Sequence, residues 1–472
     1  MRVRQRPRRL LYTLVSLSIV FIFYFFVYDG QHASKLRDLT TSTRSRILGS
    51  WPQTDDFTYV HSRPPKITVI AVWTIRSPTP PIYFPYFFRS VEANPQVDLL
   101  FVQIDKLGYG CSQHSSAPNV QDVCLSEEQY YDLHVDFLCK RWKCTEEDRN
   151  ILFDRVMRKG ADDINNTFFR VLRNGIFRRW IDPSTTIWGW CDVDTVWGNF
   201  ERAFPWDIAH DFDIVGISSQ PEFADQRLLF TRGHMAFFRH SPDVLDRFHG
   251  YPKFSSLSAY LTLPGTLIDA EESEFSHFMF TDEESFTFIF VEGMVNSYDA
   301  VFLSAHGVFY VPLKKADMTP NNRRRLLPLI RPKGKLPVSP TFSSKGVEKK
   351  TRVFADGKYF QGGLWFDKQH ATFVETGWNQ TEREQKAYFM RRNPYGPITQ
   401  RIEPRERYLN RDRELGVDEC LYKHWQAEKH QTWFRRIPEE GLESGQIMVT
   451  YHSDEAEIWN ETGEVIYETG SS

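Results

Sequence analysis

The pattern of apolar and polar positions divides this chain into segments of different period. The first is a charge-free run from Leu10 to Tyr28, 19 residues long, close to the ~20 that cross a bilayer. Arg2, Arg4, Arg6, Arg8 and Arg9 precede it, and basic flanks stay cytoplasmic. This predicts a basic tail over 1–9 and a transmembrane signal-anchor over 10–28. The remainder then lies in the lumen, a single-pass type II topology. Residues 29–65 are polar, rich in Ser, Thr and Arg, and without sustained periodicity. They predict a stem.

From residue 66 the pattern becomes that of a folded domain. Lys66–Trp73 is a β-branched apolar run, Tyr83–Ala93 has helical spacing, and Val97–Asp105 is a second apolar run. Strand, helix, strand is the start of an open α/β sheet. Helices are expected near Glu127–Lys140, Asp148–Met157 and Asn166–Trp180. The apolar run Thr185–Cys191 predicts a buried strand, Asp213–Ser219 another, and Gly233–Arg239 a short one leading into a helix over Pro242–His249. Residues 66–313 form the predicted core. From Lys314 to Arg352 the only acids are Asp317 and Glu348, among many Lys, Arg and Pro. This stretch reads as a basic exposed linker or loop. Residues 353–472 are expected to complete the domain, with strands between Gly357 and Phe373 and a compact aromatic element at Leu421–Gln426.

Composition adds limits. The chain has 472 residues, 41% hydrophobic and 15% aromatic, with a net charge of -3. That balance argues against a nucleic-acid binder, which is usually basic. Cys111, Cys124, Cys139 and Cys144 crowd one region and suit the disulfides of an oxidising lumen. Four cysteines allow three pairings, and their spacing lacks the C-x₂-C of a common zinc site. Cys191 reads as a buried thiol, and Cys420 is isolated. Three N-glycosylation triplets begin at Asn165, Asn379 and Asn460.

The chemistry centres on Thr185–Gly198, where an apolar run delivers Asp192 and Asp194 and then meets a glycine. If the strand continues through them, both side chains share one face. Two hard oxygen donors suit Mn²⁺ or Mg²⁺. Asp211-Phe212-Asp213 matches the same pattern, but it precedes a strand, and ligands of open α/β sheets bind beyond the carboxyl ends. By that rule Trp73, Thr74 and Asp105, which end their own strands, face a nucleotide. Asp105 also reads as a turn or helix-cap aspartate. Arg170, Arg173, Arg178 and Arg179 offer charge for a diphosphate, with a solvated face as the plainer reading.

The segment WGWCDVDTVWGNF, Trp188–Phe200, resembles the DUF6625 family of glycosyltransferase-like proteins, with its aromatic-Gly-aromatic-Cys-Asp-x-Asp pattern. The resemblance extends over Ile67–Asp105 and Gly233–Arg239, and more weakly over Phe280–Phe286 and Tyr422–Gln426. It implies a GT-A type fold, a Rossmann-like open mixed sheet flanked by helices, here with an N-terminal transmembrane helix and a C-terminal extension. Asp192 and Asp194 would bind the metal and the nucleoside-diphosphate sugar. A C-terminal histidine, His424, would be a third ligand. Gly233 and His234 would face the acceptor, with a hydrogen-bonded structural histidine as the other reading of His234. For an inverting reaction, Glu283, with Asp282 and Glu284 beside it, is the expected base; these acids also suit a charged helix start. The expectation is therefore a metal-dependent glycosyltransferase of the Golgi or ER membrane acting on a glycan or glycoconjugate acceptor. A non-catalytic luminal binding or scaffold protein and a sugar-nucleotide hydrolase are the competing readings.

Overall fold

The computed structural model describes residues 65–159, 169–204, 206, 209–219, 226–229, 231–262, 275, 278–279, 286, 288–295, 300–331, 362–367, 372–379, 384–392, 415, 417–452 and 454–470. The expected tail, anchor and stem (to residue 64), Asn165, Asp282, Glu283 and Glu284 lie outside the described residues. Among the described residues no helix is long and apolar enough to cross a membrane.

The fold is mixed α/β, a parallel and antiparallel sheet flanked by helices. Nine strands form the main sheet: β1 (Ile67–Thr74), β2 (Val97–Asp105), β3 (Val120–Ser126), β4 (Ile187–Cys191), β5 (Thr195–Trp197), β6 (Ile214–Ser219), β7 (Met235–Arg239), β8 (Phe288–Val295) and β9 (Tyr422–His424). Their order is β3-β2-β1-β4-β7-β6-β8-β9-β5. β1, β2, β3 and β4 run parallel. β7 is antiparallel to both β4 and β6, so β6 regains the direction of β4. β8 and β9 keep that direction, and β5 runs against β9. The sequence places β1, β2 and β4 well because they are almost wholly buried and therefore read as continuous apolar runs; β3, β5 and β8 were not expected from it.

The order forces the sheet to curl. β4 and β5 are five strand steps apart, about 24 Å if flat. Only Asp192, Val193 and Asp194 join them, and such a link spans no more than about 14 Å. The β5 end must therefore bend back toward β4, and this brings β9 to the carboxyl end of β4. Gly198 permits the closure. Its backbone N–H donates to Leu421 O at 2.6 Å, and a Cβ there would sit 2.1 Å from the Cys420 carbonyl oxygen. No other residue lets two backbones approach so closely.

Helices α1 (Phe84–Glu92), α2 (Glu127–Trp142), α3 (Glu146–Lys159) and α4 (Pro242–Phe248) flank the sheet. Ser126 opens α2 with a capping box closed by Gln129, which satisfies N–H groups that a helix start leaves orphaned. The core packs α1, through Phe84, Phe87, Phe88 and Val91, against β1, β2 and Trp197. The cysteines pair Cys111 with Cys124 and Cys139 with Cys144, tying the loop after β2 to β3 and closing the end of α2. Cys191 and Cys420 are buried thiols.

A second, antiparallel sheet of six strands carries residues 300–304, 307–311, 418–420, 447–451, 455–459 and 465–468. Its strand at 418–420 runs directly into β9, with Leu421 between, so the C-terminal part supplies a strand of the main sheet. Residues 226–229, 362–367, 372–379 and 384–392 form a third sheet.

Two expectations change. Part of the basic stretch at 314–352 is helical: α5 (Pro320–Ile330) is capped by Thr319 and buries Leu326 and Ile330 beside Phe302, Val449 and Trp459. Two apolar residues four apart make one buried stripe, which the average charge of the stretch conceals. The basic segment before β4 forms short turns at Arg170–Leu172, Arg173–Ile176 and Arg178–Trp180. Arg170 and Arg173 are buried, not a solvated face.

Candidate metal centre

β4 ends at Cys191, and Asp192–Asp194 form the turn into β5 rather than a continuation of the strand. The carboxylates therefore converge through a turn, not through strand alternation. Thr195 Oγ1 donates to Asp192 O at 2.7 Å, and Asp192 N donates to His234 O at 3.1 Å. The pairing of β5 with β9 sets His424 opposite Thr195, and Trp425 N donates to Asp194 O at 2.9 Å. This register is what carries His424 across 230 residues of sequence to Asp194.

Ligand atoms of Asp192, Asp194 and His424 all lie within 4.8 Å of one another. His424 Nε2 stands 3.4 Å from Asp194 Oδ2, while its buried Nδ1 has no hydrogen-bond partner among the described residues. Two carboxylates and an imidazole are a donor set for a divalent transition metal. The side chains of Asp194 and His424 are 9% and 7% exposed, that of Asp192 33%, so the cluster is buried on one side and open on the other. A further cation already meets it: Lys429 Nζ lies 2.6 Å from Asp194 Oδ2. Burial disfavours the Asp194 carboxylate, but His424 and Lys429 outweigh it and hold the carboxyl well below the usual range.

Arg170 fixes the other carboxylate. Its guanidinium donates to Asp192 Oδ1 at 2.9 Å and to the Gly233 carbonyl. Behind the cluster, Lys423 and Glu428 form a fully buried pair at 2.5 Å. Lys423 precedes His424 and Glu428 precedes Lys429, so one ion pair pins both ends of the loop that presents a ligand and a cation.

The predicted residues around this cluster fall into two groups. Ala71 pairs with Cys191, so Trp73 and Thr74 lie at the level of the Asp192–Asp194 turn. Trp73 is half-buried against Phe84 and Phe101, and Thr74 is buried. Asp105 lies at the same edge, but both of its oxygens accept from its own loop, from Tyr109 N and Gly110 N at 3.0 Å each. Gly233 and His234 buttress the cluster. The His234 ring lies 4.2 Å from that of His424, and Nδ1 meets Tyr422 Oη at 2.7 Å. Burial, then the neighbouring His424 and Arg232, push the His234 imidazole well below its usual pKa, so it stays neutral.

Sequence reasoning missed Lys429 and gave Tyr422 no role of its own within the aromatic element Leu421–Gln426. A lysine in a polar turn and a tyrosine in a short strand are ordinary until β9 meets β5. No protein-family model matches the chain, and no curated protein matches it.

Proposed function

We propose that the protein is a metal-dependent glycosyltransferase of GT-A type that moves a sugar from a nucleoside-diphosphate sugar to a glycan or glycoconjugate acceptor. The observation that carries this reading is the convergence of Asp192, Asp194 and His424 at the carboxyl end of β4, in the middle of the main sheet. Asp192, Asp194 and His424 would hold Mn²⁺ or Mg²⁺, which when bound supplies Lewis-acid stabilisation of a leaving diphosphate.

The chain's own groups do the rest. Arg170, bonded to Asp192, orients that carboxylate and brings positive charge to the diphosphate side. Neutral His234 supports His424 by its ring, and Tyr422 fixes the His234 ring in turn. Trp73 and Thr74 line the edge where a nucleotide would lie. Asp282, Glu283 and Glu284 remain the groups proposed to take the acceptor's proton, Glu283 first. The two disulfides favour an oxidising compartment, in keeping with a Golgi or ER lumen and a type II anchor at 10–28.

The test is an assay of the purified full chain with Mn²⁺ against a panel of nucleotide sugars, with and without EDTA. Sugar transfer or nucleoside-diphosphate release that EDTA abolishes is expected. Absence of both nucleotide-sugar binding and metal dependence overturns the reading.

A further inference from the structure

Lys429 lies closer to Asp194 than His424 does, 2.6 Å against 3.4 Å. Asp192 is paired in the same way with Arg170 at 2.9 Å. Each carboxylate is thus already paired with a protein cation before any metal arrives. A divalent ion entering alone adds two positive charges beside both of these cations, a repulsive arrangement at short range.

The two protein cations are held differently. Arg170 is 6% exposed at its side chain and also donates to the Gly233 carbonyl. It has a second fixed partner and little room. Lys429 is 31% exposed at its side chain and stands on the short turn Glu428–His430. Its ammonium ends a flexible four-carbon stem. The turn itself is anchored by the buried Glu428–Lys423 pair, so movement at this point belongs to the Lys429 side chain alone.

We propose that Lys429 is an internal cation that occupies Asp194 in the metal-free protein and is displaced when the metal binds. Metal entry exchanges one counter-ion for another at Asp194. The released ammonium remains at the open side of the cluster, where an anionic ligand offsets both the metal and the lysine. This inference rests on the metal-site reading above.

The experiment measures Mn²⁺ binding to the full chain by the loss of free-Mn²⁺ electron paramagnetic resonance signal. Lys429→Met is expected to bind Mn²⁺ about tenfold more tightly than the wild type, because the competing charge is gone. Lys429→Arg keeps the charge and is expected to bind at least as weakly as the wild type. Lys315→Met is the control for net charge, since Lys315 pairs with Glu455 and Glu457 in the second sheet; its Mn²⁺ affinity is expected to stay unchanged. Amine acetylation of the wild type, read by mass spectrometry, is expected to rise at Lys429 and not at Lys315 when Mn²⁺ is added. This second readout needs no variant to fold. Equal Mn²⁺ affinity in all four proteins, with Lys429 acetylation unmoved by Mn²⁺, overturns the displacement while leaving the metal site standing. Mn²⁺ binding that is absent, or unaffected by Asp194→Ala, overturns the metal reading itself.

Discussion

Asp192 and Asp194 follow β4, whereas Asp213 precedes β6, a strand of the same direction two places away in the sheet. The same three-residue pattern therefore falls at opposite edges. At the first edge the acids lie in a turn, partly open, with an imidazole and a half-exposed lysine beside them. At the second, Asp213 is 4% exposed at its side chain and lies between Arg239 at 2.5 Å and Arg247 at 3.0 Å. Its backbone carbonyl also accepts from Arg239 N at 2.8 Å. Asp213 ties α4 and the end of β7 to the start of β6. A carboxylate pair gains metal chemistry from an approaching donor and an open side. Two arginines give Asp213 a structural role instead.

Substitution can break this contrast, and the largest effect is expected at Asp194. On the proposed function Asp194→Ala removes a metal ligand, and sugar transfer should fall about 10³-fold or more, the several kcal/mol that metal stabilisation contributes; Mn²⁺ binding should be lost while the fold is kept. Glu428→Ala should follow, lowering unfolding free energy by about 3–4 kcal/mol, since it leaves the Lys423 ammonium buried without its carboxylate. The double change Lys423→Met with Glu428→Met should recover most of that loss, because two apolar groups leave no stranded charge. Denaturant unfolding checks both. Asp213→Ala should cost about 2 kcal/mol, less than Glu428→Ala because Arg239 and Arg247 are partly solvated. Its Mn²⁺ affinity should match the wild type. If Asp213→Ala weakens Mn²⁺ binding as much as Asp194→Ala does, the assignment of roles by strand direction is wrong.

Acid should give the smallest effect, again at the site's end of the fold. His134 in α2 packs on Phe169, next to Arg170, at 4.8 Å between rings. Burial lowers its pKa from 6.5 to about 4, so the folded protein keeps it neutral. Between those values the unfolded chain binds a proton that the folded one refuses, and stability falls as pH falls. The expected loss from this group is about 1–2 kcal/mol between pH 7 and pH 5. His134→Gln should flatten that part of the profile, measured by thermal unfolding across pH.

Much of the fold was legible in the chain because its strands are buried on both faces. Ile67–Thr74, Val97–Asp105 and Ile187–Cys191 read as continuous apolar runs bounded by polar or Pro breaks, and burial leaves such runs little alternative. α1 and α2 form close to where they were expected, at Tyr83–Ala93 and Glu127–Lys140, while the Ser126 cap of α2 emerged only in the structure. α5 stayed hidden because a few basic residues outweigh Leu326 and Ile330 in any local average. Arg170 looked like surface for the same reason: local composition carries no sign of burial, which here comes from Asp192 and Gly233 meeting it.

The sequence by itself determined that Asp192 and Asp194 end an apolar strand, and that Asp211 and Asp213 begin one. Strand direction is a local property, so that much follows from the order of residues. Tertiary structure alone decided what meets the first pair. The curl of the sheet and the backbone contact at Gly198 set β9 beside β5, and that register delivers His424 and Lys429 to Asp194. Such a meeting depends on pairing between strands more than two hundred residues apart, which no local pattern encodes.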